Sequence, residues 1–108
     1  MIDMSDYILA ISTCPEDEAL DLARKLVESK QCACVNMIQK VFSIYHWRGD
    51  IEEDKEVILL MKTRKELEES LFSVLKKNHS YEVPEFVVLS IESGSPDYLK
   101  WITESTSK

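Results

Sequence analysis

Short apolar runs rich in β-branched residues alternate with segments of helical spacing along the 108-residue chain. The first run, Tyr7-Ile8-Leu9-Ala10-Ile11-Ser12-Thr13, predicts a strand covered on both faces. At Thr13-Cys14-Pro15-Glu16 a Thr stands three positions ahead of a Glu, with Pro in the first turn, which predicts a capped helix. Ala19, Ala23, Leu26 and Val27 carry its apolar stripe to about Lys30. A second extended segment runs from Cys34 through Val41-Phe42-Ser43-Ile44-Tyr45-His46-Trp47, and Arg48-Gly49-Asp50 turns it back as a long β-hairpin. The return strand is acidic from Ile51 to Glu56 and continuously apolar from Val57 to Met61, so it is expected to be exposed near the tip and buried on both faces at its base. Thr63-Arg64-Lys65-Glu66 repeats the capping pattern, and Leu67, Leu71, Val74 and Leu75 mark a second helix ending near Asn78. Pro84 to Ile91 reads as a fourth strand, and Ser95-Pro96-Asp97 opens a short helix through Tyr98, Leu99 and Ile102. Glu104 to Lys108 is expected to fray.

The order β-α-β-β-α-β plus a C-terminal helix, with right-handed crossovers, predicts an α+β, ferredoxin-like βαββαβ sandwich. It forms a single domain over residues 1–108 with an ordered core of about 6–103. Composition agrees, because 44% hydrophobic and 31% charged residues with only two Gly and three Pro suit a packed globule. The net charge of −7, with basic residues interleaved among acids, excludes a nucleic-acid partner, whose affinity comes mostly from phosphate neutralisation. No apolar run reaches the length of a membrane span, and Met1-Ile2-Asp3-Met4-Ser5-Asp6 has no signal-peptide core, so a cytoplasmic protein without membrane contact is expected. Cys14, Cys32 and Cys34 suit neither a disulfide framework nor a paired zinc motif, and reduced thiols follow.

Candidate chemistry is sparse. His79, in a loop beside Tyr81 and Glu82, has the side chain that suits copper, zinc or nickel, and equally that of a histidine bonded to backbone in a cleft. His46 is mid-strand without an evident partner ligand. Cys14 stands at a predicted helix N-terminus, where the dipole lowers a thiol pKa, although a small buried hydrophobe fits the position as well. Cys32-Ala33-Cys34 puts two thiols on one side if extended, with core packing as the alternative. Glu52, Glu53, Asp54 and Glu56 lack the spacing of a dedicated cation loop and read as a solvated arm. Two histidines in separate elements assemble no nucleophile and base, and two glycines make no phosphate loop, so an enzyme is not expected.

Several clusters together resemble the CutA family of divalent-cation tolerance proteins. They are Thr13-Cys14-Pro15, Ala33-Cys34-Val35-Asn36, Tyr45-His46-Trp47-Arg48-Gly49-Asp50-Ile51 and His79-Ser80-Tyr81-Glu82-Val83-Pro84-Glu85, followed by Gly94, Asp97, Tyr98 and Trp101 in the pattern Gly-x-x-Asp-Tyr-x-x-Trp. The resemblance covers about Tyr7 to Trp101. It implies a homotrimer of ferredoxin-like subunits similar to the PII signalling proteins, with a role in tolerance of copper or another divalent cation. The metal residue it points to is His79, and Cys14, close to the family's Cys position, is the thiol expected to compensate there. Some members carry a Cys before the Thr-x-Pro turn and a His pair before Pro-Tyr; here Ser12, Asn78 and Ser80 stand at those places. A hydroxyl and an amide replace soft ligands poorly, so any cation is expected to be weakly held and not required for folding. By analogy with PII-like trimers, Asn36, Lys62, Tyr81, Glu85 and Trp101 are expected to line an inter-subunit pocket for a small anion or nucleotide. A regulatory module using that pocket, or a structural trimeric scaffold, is the alternative function.

Overall fold

The computed structural model describes residues 6–108; the acidic stretch at 1–5 lies outside the described residues. Strands β1 (Tyr7–Cys14), β2 (Cys34–Trp47), β3 (Asp50–Arg64) and β4 (Val87–Ser90) form one antiparallel sheet in the order β2-β3-β1-β4. Helices α1 (Glu16–Glu28) and α2 (Glu68–Asn78) join them, and α3 (Pro96–Ser105) closes the chain. This is the ferredoxin-like arrangement that the element order predicts.

Strand alternation divides the sheet into two unlike faces. Ala10, Cys14, Val57, Leu59 and Met61 point towards the helices and are buried against Ala19, Leu22, Leu26, Leu71 and Leu75. The α1 stripe therefore includes Leu22, whereas Val27 is exposed, because the helix meets the sheet about one residue round from the predicted line. On the opposite face, Leu60 lies between Ile11 and Asn36, and Ile58 between Thr13 and Ile38. Leu9 and Ile11 in turn face Leu89 and Val87. Only one end of this face is covered, where Leu99 and Ile102 of α3 pack on Tyr7 and Ala33. The rest stays open, with Ile38 46%, Val87 48% and Leu89 49% exposed and Ile58 and Leu60 half-buried. Within one chain Val57 to Met61 is thus buried on one face and not on both.

Two of the predicted helix starts differ. β1 runs on through Cys14, Pro15 takes the cap position, and Thr13 makes no capping bond. Thr63 likewise stays in β3 and donates from Oγ1 to the carbonyl of Gln31, while a 3-10 turn at Lys65–Leu67 precedes α2. In both places the ladder to the neighbouring strand takes the Thr before a cap can form. The third start is as predicted: Ser95 Oγ accepts from Tyr98 N–H, with Pro96 next in line. The C-terminus does not fray at Glu104. Thr106 is buried, and Arg64 donates to its Oγ1 at 2.8 Å and its carbonyl at 3.1 Å.

The hairpin turns at Arg48 and Gly49, both with positive φ (50° and 87°), the signature of the tight turn whose twist matches paired strands. Between Ile38 and Val41 the register slips by one residue, with Lys40 at φ 60°. A bulge of this kind adds twist and bends a strand. Beyond it Phe42, Ile44 and Ile51 are each more than three-fifths exposed, making the distal hairpin an arm that stands clear of the core.

Candidate functional site

Where the arm leaves the sheet, the loop after α2 folds back beneath it, and His79 fixes that loop. Its Nε2 lies 2.7 Å from the carbonyl of Thr13, which can only accept, so Nε2 carries the proton; Nδ1 then accepts from Tyr81 N–H at 3.0 Å. The ring is nearly buried and packs at 4.7 Å on Tyr81. This aims the Tyr81 hydroxyl at Glu56, to whose Oε2 it donates at 2.8 Å. At the tip, Arg48 bonds Glu82 at 2.9 Å and lies over Trp47, 5.2 Å from its ring centroid. The result is a cleft of about 810 Å³ bounded by Tyr45, Trp47, Glu56, Tyr81 and Glu85.

The cleft is acidic. Glu56, expected on a solvated arm, is only 4% exposed. Burial and then the neighbouring Glu56 push the Glu85 carboxyl above its ordinary range. Burial and the bond to Glu56 likewise raise Tyr81, while donation to Asp54 pushes Tyr45 up to about 12. Both phenols therefore stay protonated as donors.

The metal candidates are placed differently from one another. His79 presents no free nitrogen, since coordination would displace one of its two backbone bonds. Cys14 is fully buried, and its thiol is pushed up to about 11 by burial and by Glu18, Glu56 and Asp17. The lowering expected from the helix terminus is reversed, because burial first, and then the charges of Glu18, Glu56 and Asp17, disfavour the thiolate. Cys32 is sealed in the core and pushed up to about 12, whereas Cys34 lies half-buried beside Asn36 Oδ1, so the two thiols sit in different environments. Ser12 is buried as well. Among the described residues no group of three or more His, Cys, Asp or Glu side chains is placed to hold a metal ion, so the donor set does not fit a tight site.

Of the five residues expected in one pocket, only Tyr81 and Glu85 border this cleft. Asn36 and Lys62 lie on the open sheet face beside α3, where Lys62 Nζ sits 5.6 Å from the Tyr98 ring centroid, and Tyr98 stacks on Trp101 at 5.4 Å. Within one chain the cationic and acidic halves of the expected pocket are separate. Tyr45, Trp47 and Glu56 were not expected in the site; aromatics gathered before the turn and acids after it were their only signal in the sequence.

The family model for CutA1 divalent ion tolerance protein matches residues 8–105. This chain belongs to the CutA1 divalent ion tolerance family. The divalent-cation tolerance protein CutA of Thermus thermophilus is 39% identical over 101 residues, which cover 94% of this chain and 98% of that protein. A CutA homolog of Xenopus laevis is 50% identical over 94 residues, 86% of this chain, and the chain spans only 62% of that relative's length. The solved CutA structure from Xylella fastidiosa superposes with a TM-score of 0.92 at 35% identity, covering 95% of this chain and all of that one. Within the CutA family frame, the open sheet face and the acidic cleft are the two features that call for a function.

Proposed function

We propose that this CutA-family chain acts in divalent-cation tolerance as a homotrimeric, non-catalytic cytoplasmic protein, needing no metal to fold and contacting copper or another divalent cation only weakly, at His79. The observation that carries the assembly is the open apolar face of Leu9, Ile11, Ile38, Ile58, Leu60, Val87 and Leu89. A contiguous apolar surface of this kind is uncommon on a monomer and gains stability when a second subunit removes it from water. Three is the number of copies implied by the family resemblance. The core is closed by apolar side chains, so no metal is needed to hold it. No helix among the described residues is long and apolar enough to cross a membrane.

Metal contact at His79 has to be weak because coordination by Nδ1 gives up the bond from Tyr81 N–H. Calorimetric titration of copper or zinc into the wild type is expected to show a shallow isotherm that His79→Ala abolishes. Superimposable isotherms would remove His79 from any metal role. A second reading, a regulatory module that takes a small molecule, is favoured by the cleft beneath the arm.

A further inference from the structure

We infer that the cleft between the arm and the 80–85 loop binds a small organic cation, an ammonium or guanidinium carried on an apolar body. The inference names the ligand class for the small-molecule reading of the cleft and rests on it. The walls supply both elements that such a ligand needs. Tyr45, Trp47 and Tyr81 offer aromatic surface, and Glu56, Glu82 and Glu85 offer carboxylates, with no Lys or Arg among the lining residues. Glu56 matters most. It is almost wholly buried and held by the Tyr81 hydroxyl, so its charge is fixed in direction and poorly screened by solvent. Glu85, in the field of Glu56, is relieved of repulsion when a positive group enters.

The chain itself displays the mode of recognition. The Arg48 guanidinium lies over the Trp47 ring and bonds Glu82, an aromatic face beneath and a carboxylate beside. Cation–π contact combined with a carboxylate is how proteins hold such groups. Both partners of this ion pair are 70% exposed, so the contact is weak and exchanges readily for an incoming cation. Other ligand classes fit less well. An anion or nucleotide would meet three carboxylates, with His46 as the one imidazole and no Lys or Arg in the lining. A metal ion would need convergent ligands that the described residues do not present.

Three matched probes test the inference: 2-phenylethylammonium, neutral 2-phenylethanol and anionic phenylacetate. Trp101→Phe leaves Trp47 as the single indole reporter. Trp47 fluorescence is expected to saturate with the ammonium, at an affinity about tenfold above that of the alcohol, and not to respond to the carboxylate. Glu85→Gln should weaken ammonium binding by several fold. Arg48→Gln should strengthen it by roughly two- to fivefold, because it removes the internal competitor. Saturation by the alcohol or the carboxylate in preference to the ammonium would overturn the organic-cation assignment and leave a small-molecule cleft standing. Saturation by none of the three would overturn both. Ammonium binding unchanged by Glu85→Gln and Arg48→Gln would place the probe elsewhere and equally overturn the inference.

Discussion

Leu59→Ala is expected to lower the free energy of unfolding by about 2–5 kcal/mol, the range for a fully buried Leu whose surroundings relax only partly. Leu59 is completely inaccessible at the centre of the sheet, facing α1 and α2 in the main core. Its neighbours Cys14, Leu22, Leu26, Leu71 and Leu75 come from elements tied at both ends to the sheet, so the cavity cannot close by moving one of them. Chemical denaturation at fixed protein concentration measures the loss, because the stability of an assembly depends on protomer concentration. A loss below about 1 kcal/mol would mean that the main core lies elsewhere.

Ile58→Asp, one residue away on the opposite face, is expected to do the reverse: leave the fold and dissolve the assembly. In a single chain Ile58 is half-buried between Thr13 and Ile38, so a carboxylate there keeps contact with water and costs the isolated fold little. Under a partner subunit the same carboxylate would be stripped of water without a counter-charge, at a cost of several kcal/mol per copy. Light scattering should give about three times the 12.5 kDa chain mass for the wild type and near 12.5 kDa for the variant, with unchanged far-ultraviolet circular dichroism. A wild type that scatters as a monomer would sink the assembly outright. The two substitutions test faces that differ only by the alternation of a strand.

That alternation also explains how far the sequence reaches. Val57 to Met61 is five apolar residues in a row, and such a run announces burial on both sides without saying what supplies it. The structure assigns Val57, Leu59 and Met61 to the chain's own helices and leaves Ile58 and Leu60 beneath an open surface. The bulge at Lys40 was not legible, since only paired register reveals an extra residue and Lys carries no signal for positive φ. Capping patterns misled at Thr13 and Thr63 for a similar reason: both are strand residues whose ladder bonds compete with the cap, whereas Ser95 lies outside any strand and caps as its sequence suggests.

The candidate site was legible only in part. His79 and Tyr81 were placed in a loop and Glu85 at the start of the fourth strand, but the chemistry here depends on groups far away in sequence: Thr13 at 66 residues from His79, Glu56 at 25 from Tyr81, and Arg48 at 34 from Glu82. Cys14 shows the same limit, because the helix dipole that suggested a reactive thiol is local, while the burial and the Glu56 charge that oppose it are not.

The long hairpin, the element order and the family were determined by the sequence itself, because they rest on short-range periodicity, on a turn with glycine at its second positive-φ position, and on clusters of residues close in the chain. Which apolar residues remain uncovered, whether a histidine keeps a free nitrogen, and that the arm encloses an acidic cleft were decided only by tertiary structure. Each depends on the distances and solvent exposure of groups brought together across strands and loops, and no spacing along the chain carries that information.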